Sequence, residues 1–335
     1  MSSITIKDLA QKLNLSPSTI SKALKDSYEI NAETKLRVKE MAKQLKYVPN
    51  SYAAGLRKKT SQTIAVIVPN ITDAFFAKAI YGIHSAANQN NYNVLIYISS
   101  EDYKNEKLFI ESLGNGKVDG IIISLSGNNN NHEYIRFTQD EGLPVVLFDC
   151  VDFDIDTTKI ISDDYTNGIK ATEHLLQRGC RNIAYLGISE QVSTDISRRE
   201  GYKFALEKAH IAFDPELMIT YSHNTATNIS RIKSVLQNKK PDGLVASIHD
   251  LAIAAYYACN ELNIKIGQEV KIIGFSNFDA VDLFNPPLTT ITQPAFNIGE
   301  QAATILIQSL EKKNYTLKNE VITLPSVLYK RASTQ

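Results

Sequence analysis

Residues 5–24, TIKDLAQKLNLSPSTISKAL, hold two helix starts in quick succession. Thr5 with Asp8 three positions on has the form of a capping box, in which each residue's side chain satisfies a free backbone N–H of the other. It opens a helix whose Ile6, Leu9, Ala10 and Leu13 fall on one apolar face. Asn14-Leu15 makes the turn. Ser16 caps a second helix, with Pro17 at its first position, where the missing N–H costs nothing. Ile20, Ala23 and Leu24 face inward, while Ser18, Thr19, Ser21, Lys22 and Lys25 stay outside. Asn31 caps a third helix, predicted to close the small core with Leu36, Val38, Met41, Ala42 and Leu45. A short helix, a tight turn and a second helix with a donor-rich outer face make a helix-turn-helix, whose second helix enters the DNA major groove. On pattern alone, an ordinary three-helix bundle is the alternative.

The charge around this stretch favours the first reading. Residues 1–60 carry twelve Lys and Arg against five Asp and Glu, although the whole chain has 36 of each. A headpiece near +7 on a body near −7 is the asymmetry of a nucleic-acid-binding end on a protein of ordinary composition. The 335 residues allow one small domain and a large domain of two lobes.

The segments Ile4–Ala10, Leu15–Leu24 and Tyr47-Val48-Pro49-Asn50 closely resemble the headpiece of the lactose-repressor (LacI/GalR) family, nearly continuously over residues 4–60. The resemblance implies a headpiece over 1–49, a hinge helix and linker over 50–60, and an effector-binding and dimerisation domain over 61–335. It implies DNA contacts from Thr5, Ser16, Pro17, Ser18, Thr19, Ser21, Lys22, Asn31, Tyr47, Asn50, Ala53, Leu56 and Arg57. Pro17, Ser18 and Lys22 would take the base-reading positions, while Thr19, Ser21 and Asn31 would hold phosphates. Pro17 has no side-chain donor, so direct readout falls to Ser18, Lys22 and apolar contact with a thymine methyl. The hinge is too short to hold itself helical in water, and Gly55 weakens it further, so it should order only when paired on DNA. Leu56 matches the family's minor-groove wedge, the alternative being a plain linker that happens to contain Leu.

Beyond Ser61, apolar runs alternate with amphipathic stretches. Strands are expected at Ile64–Val68, Val94–Ile98, Gly120–Ser124, Val145–Phe148, Ile183–Leu186, Leu244–Ala246 and Val270–Phe275, with helices over 73–88 and 106–113. Strands too continuously apolar to be half-exposed indicate parallel sheets covered on both faces. The expected fold is therefore an all-α headpiece plus an α/β two-lobed domain similar to periplasmic sugar-binding proteins. Lobe 1 is placed at about 61–161 and 293–325, lobe 2 at about 162–292.

Open α/β sheets bind ligands beyond the carboxyl ends of their strands. Those ends, with the return segment Leu288–Pro294, nominate Asp73, Phe75, Phe76, Asp149, Cys150, Arg198, His249, Asp250, Ser276 and Gln293 as effector-binding. Paired aromatics about a ring, with Asp and Arg on its hydroxyls, would suit a sugar or sugar derivative. Phe75 and Phe76 have helix core as their alternative reading, Arg198 the pairing of a structural acid, and His249 a buried or rim histidine. Arg199 is expected to face solvent. Cys150 stands where sugar-responsive relatives often have Arg and Ser276 where many have Asp, so a nucleoside or an acidic metabolite stays open.

No catalytic set emerges. Gly114–Lys117 lacks phosphate-loop spacing, and the histidines (His84, His132, His174, His210, His223, His249) have no metal spacing. Neither a cofactor nor a metal is expected. Asp163-Asp164 reads as crossover contacts rather than an acid–base pair. The odd, scattered Cys150, Cys180 and Cys259 fit a reduced compartment, and residues 1–13 have no signal-peptide core, so the expected address is the cytoplasm. A sugar carrier would need a signal peptide and no headpiece, and an α/β enzyme with an appended DNA-binding domain would need a catalytic constellation. The expectation is a homodimeric repressor on a pseudo-palindromic duplex operator, controlled by a sugar-like effector, with no membrane partner. Its partner surface would include the 77–87 helix and the strand near Val94–Ile98. No trailing heptad segment follows Leu328 to suggest a tetramer.

Overall fold

The computed structural model describes residues 4–47, 60–114, 116–127, 132–312 and 315–335. The chain divides into two compact units, Met1–Ser61 and Gln62–Gln335. Asn50, Ala53, Leu56 and Arg57, with the rest of the expected hinge helix, lie outside the described residues.

In the first unit, α1 (Ile6–Leu13), α2 (Pro17–Leu24) and α3 (Ala32–Gln44) enclose Leu9, Leu13, Ile20, Ala23, Val38 and Ala42. The local signals act as their chemistry dictates. The Thr5 and Asp8 side chains cap reciprocally, and Thr5 N donates to Asp8 Oδ2 at 2.7 Å. Ser16 Oγ accepts from Thr19 N at 3.1 Å, and Asn31 Oδ1 from Thr34 N at 2.8 Å. Asn14 makes the turn with φ of 53°, a left-handed conformation that Asn tolerates. One core assignment fails: Leu36 is 59% exposed. It lies two positions before Val38, about 200° around a helix with 3.6 residues per turn, so both cannot point inward.

The second unit contains two six-stranded sheets. Sheet 1 runs β11-β5-β4-β3-β1-β2, built from β1 (Thr63–Val68), β2 (Asn93–Ile98), β3 (Gly120–Ile123), β4 (Val145–Phe148), β5 (Thr158–Ser162) and β11 (Glu320–Leu324). Sheet 2 runs β12-β10-β9-β8-β6-β7, from β6 (Ile183–Gly187), β7 (Met218–Thr220), β8 (Gly243–Ala246), β9 (Lys271–Phe275), β10 (Thr289–Thr292) and β12 (Val327–Tyr329). The pairings among these strands are parallel except β10 with β12. Helices α4 (Ala74–Gln89) and α11 (Ala295–Glu311) cover one face of sheet 1, and α5 (Tyr103–Ser112) and α6 (Glu133–Asp140) the other. On sheet 2, α9 (Thr225–Asn238) and α10 (His249–Glu261) face α7 (Asp164–Gln177) and α8 (Ser193–Lys208) across the strands. Burial on both faces explains the uninterrupted apolar runs: all of β1 is buried.

The chain passes between the lobes at 162–164, 292–295 and 324–327. One polar cluster ties these crossings together. Asp163 Oδ1 accepts from Ser326 N at 2.8 Å and Asn167 Nδ2 at 2.6 Å, while Gln293 Nε2 donates to Ser162 Oγ at 2.9 Å. Asp163 also pairs with Lys170. Among the described residues, no helix is long and apolar enough to cross a membrane.

Candidate functional site

A cavity of about 440 Å³ opens where the carboxyl ends of the two sheets meet. Of the nominated residues, Asp73, Phe75, Phe76, Asp149, Cys150, Arg198, Asp250 and Gln293 line it, from strand ends, helix starts and a crossover. His249 and Ser276 do not. They bond to each other instead (Ser276 Oγ to His249 Nδ1, 2.9 Å), with the imidazole 4.7 Å from the ring centroid of Phe278. Burial lowers the His249 pKa, disfavouring the charged ring.

Two expectations are corrected by the geometry. Phe75 and Phe76 do not form parallel walls, because successive helix positions diverge by about 100°. Their rings meet edge-on at 5.2 Å and 83°; Phe75 is 6% exposed and belongs to the lobe 1 core, while Phe76 also packs on Phe148. Arg199 does not face solvent: its side chain is 13% exposed.

Arg198 combines its two readings. It lines the cavity, yet Nε donates to Asp164 Oδ1 at 2.7 Å, Nη1 donates to the Ser247 carbonyl, and the guanidinium lies 4.3 Å from the Phe275 ring centroid. Its charge is already matched. The remaining wall is acidic, with Asp73, Glu101, Asp149 and Asp250 facing His223 and a neutralised Arg198. Burial, reinforced by Asp164, pushes the Asp149 carboxyl up to about 7, and burial raises Asp73 too. Burial pushes the Cys150 thiol up to about 11, which makes it a poor nucleophile.

The sequence reading missed several polar wall residues: Asn70, Ser100, Glu101, Ser124, Ser126, Ser189, Thr194, Thr220, Tyr221 and His223. Most stand at strand ends, so the same rule reaches them once every strand is known. Ser100, Glu101 and Asp149 also have positive φ (55°, 60° and 58°). Such non-glycine conformations cost energy and recur at binding sites, where surrounding structure enforces them.

On the headpiece, Ser18 and Lys22 are exposed on α2, and Pro17, Thr19 and Ser21 are half-buried. The Lys22 ammonium pairs with Glu29. Thr5, Ser16 and Asn31 are exposed but use their side chains as helix caps. Tyr47 is half-buried against the headpiece core. Tyr28, which sequence reasoning passed over, is 94% exposed between Lys22 and α3. Among the described residues, no cluster of His, Cys, Asp and Glu could hold a metal.

Fold and cavity together define a two-lobed, ligand-binding α/β sensor on a chain that begins with a helix-turn-helix. Residues 61–332 match the family model described as periplasmic binding proteins and sugar binding domain of the LacI family, and residues 5–50 match that of the bacterial regulatory proteins, lacI family. The chain belongs to the LacI family of DNA-binding transcriptional regulators. It is 30% identical over 331 residues to the HTH-type transcriptional regulator RegA of Clostridium saccharobutylicum, covering 97% of this chain and 99% of that one. It is 27% identical to the ribose operon repressor of Haemophilus influenzae, over 97% of both chains. The lac repressor dimer bound to operator and the anti-inducer ONPF has the same fold, with a TM-score of 0.87 over 99% of both chains at 20% identity. A LacI family regulator from Enterococcus faecium with bound ribose matches at a TM-score of 0.69 and 26% identity, over 81% of this chain and 98% of that one.

Proposed function

We propose that the protein is a homodimeric, cytoplasmic repressor of a carbohydrate-utilisation operon, released from or retained on its operator by a neutral polyhydroxylated effector in the inter-lobe cavity. The observation that carries the effector class is the charge of the wall. Among the described residues that line it, four carboxyl groups stand beside two basic side chains that both have acidic partners, Arg198 with Asp164 and His223 with Glu101. Carboxylates and the hydroxyls of Ser100, Ser124, Ser126, Thr194 and Thr220 suit the many donors of a sugar. A sugar acid or phosphate would find no cation there without an acidic partner, so the polyol is favoured over the acidic alternative. The ribose named with the E. faecium regulator and with the H. influenzae repressor is chemistry of that kind.

The headpiece (1–49) would read a half-site through Ser18, Lys22 and Pro17, with Thr5, Ser16, Thr19, Ser21, Asn31, Tyr47, Asn50, Ala53 and Arg57 on backbone or flanking contacts. Leu56 of the hinge (50–60) would wedge the minor groove. Lys22 must exchange Glu29 for DNA to do so. The dimer contact would use α4 and β2, where Tyr81, Leu95, Ile96 and Ile98 are exposed apolar residues on an edge strand and its neighbouring helix.

Selection on random duplexes, followed by gel shifts with a panel of pentoses, hexoses, nucleosides and sugar acids, tests this reading. A pseudo-palindrome whose binding responds to a neutral sugar is the expected result, with Leu56→Ala abolishing operator binding and sparing effector binding. Response only to an acid, turnover of a panel compound, or no sequence-specific duplex binding overturns it.

A further inference from the structure

Lobe 2 carries a second cavity, of about 270 Å³, on the flank of α8 beside β7 and the turn Pro215–Leu217. Arg199 and Lys203, one helical turn apart on α8, both line it. The opposite wall is apolar, with Phe213, Met218 and Ile219, and Lys203 Nζ lies 5.2 Å from the Phe213 ring centroid.

The Arg199 fork is under-used, whereas the Lys203 ammonium is paired with Glu200 at 2.9 Å. Arg199 Nε is buried without an acceptor among the described residues, and Nη1 meets Glu190 Oε1 at 3.2 Å. Glu190 is 86% exposed on its side chain, so that pair is held by one swinging residue. The other carboxylate of the wall, Asp195, has both oxygens engaged, by the Tyr185 hydroxyl at 2.9 Å and by Ser189 N at 3.2 Å. A guanidinium is a planar fork suited to two parallel bonds from one oxyanion, and a buried N–H left unpaired carries a desolvation cost. Both features call for an acceptor that Glu190 supplies only in part.

We propose that this cavity is a second binding site, for a small organic anion with an oxyanion head on an apolar body. The head displaces Glu190 from Arg199, and the body packs against Phe213. Glu190 lies in the segment 188–192, whose Ile188, Ser189 and Val192 also wall the inter-lobe cavity; Ser189 and Thr220 line both. Releasing Glu190 therefore loosens a wall of the first site, and the anion becomes a second input to the regulator. The binding itself does not depend on what the first site takes.

Calorimetric titration of the full chain with benzoate and phenyl phosphate, and with acetate and inorganic phosphate as heads alone, tests the site. Methyl spectra locate the response at Met218, on the α8 side of β7, and at Ile188. The expected result is saturable binding of a ring-bearing anion that perturbs the Met218 methyl. It should tighten about threefold or more in Glu190→Ala and weaken about tenfold or more in Arg199→Met, the range expected for a charged hydrogen bond. Preference between benzoate and phenyl phosphate tells which head the fork takes. Should Arg199→Met fail to fold, the exposed Glu190→Ala still decides. No saturable binding to either wild type or Glu190→Ala, or an affinity that Glu190→Ala leaves unchanged, overturns the proposal.

Discussion

At the scale of single residues, the second unit depends on polar groups buried with their partners. Arg198 and Asp164 are each 5% exposed on their side chains and bond at 2.7 Å, Asp164 also taking the Ser162 hydroxyl. Removing one member of such a pair strands the other charge, at about 3–5 kcal/mol. Arg198→Met should therefore lower urea-unfolding stability by that amount, and Arg198→Met with Asp164→Asn should recover some of it. Equal loss in both would mean that the pair is not what Arg198 contributes. His174 works in the opposite sense to a salt bridge. It is 3% exposed, its Nε2 lies 2.8 Å from Thr334 Oγ1, and burial depresses its pKa to about 4. The unfolded chain, with an ordinary value near 6.5, binds a proton that the folded chain refuses. The stability from neutral His174 is thus complete above about pH 6.5 and is lost as pH falls toward 4, by up to about 3 kcal/mol. His174→Gln should flatten the fall in unfolding free energy between pH 7 and pH 5. An identical slope in the variant would refute the assignment.

Helix pairs repeat one device in both lobes. Gly82 of α4 and Gly299 of α11 let the helices touch backbone to backbone: a Cβ on Gly82 would stand 2.0 Å from the Phe296 carbonyl oxygen, and one on Gly299 2.0 Å from that of Ala79. In lobe 2, Gly168 of α7 and Gly201 of α8 meet Arg198 and Tyr165 carbonyls at 2.1 Å in the same way. Alanine in a free helix would gain about 1 kcal/mol over glycine. Here the obstacle is backbone, which no rotamer change relieves, and overpacking costs about 1–3 kcal/mol. Gly299→Ala should lower the melting temperature; a rise would show that α4 and α11 separate at no cost. Sequence carried the helix starts and the central strands, because caps and unbroken apolar runs are local signals. The other elements are specified by distant partners. β5 carries Lys159, which reads as a break in a strand, yet its ammonium is capped by the carbonyls of Ile155 and Thr157 and by Asn319 from beside β11. β7 has three residues, and β11 and β12 are exposed at alternate positions. The site follows the same division. Asp73 and Asp149 were legible as strand ends, whereas Ser100 and Glu101 are turned inward by a left-handed backbone that no residue type announces.

Across the whole second unit, a few contacts bridge the lobes around the inter-lobe cavity. Lys78 of α4 donates to the Asn277 carbonyl at 2.7 Å and pairs with Asp279 at 2.5 Å. Glu101 lies 3.7 Å from His223, and Val151 N donates to Ser193 Oγ at 3.0 Å. These contacts favour a closed arrangement before any ligand arrives, and an effector touching both lobes adds to the same equilibrium. Asp279 is 88% exposed on its side chain, so the Lys78 pair is worth about 1 kcal/mol or less, too little to matter for folding. A closed fraction only slightly above one half responds to that amount, since 1.4 kcal/mol is a factor of ten in an equilibrium. Lys78→Met should therefore weaken effector binding about twofold to fivefold by calorimetry, leave the melting temperature within about 1 °C, and enlarge the ligand-free radius of gyration in small-angle scattering. The Asp279→Asn variant should move affinity in the same direction and by less, because the Asn277 carbonyl still holds the ammonium. A large fall in melting temperature with affinity unchanged would place Lys78 in the fold rather than in the opening and closing of the lobes.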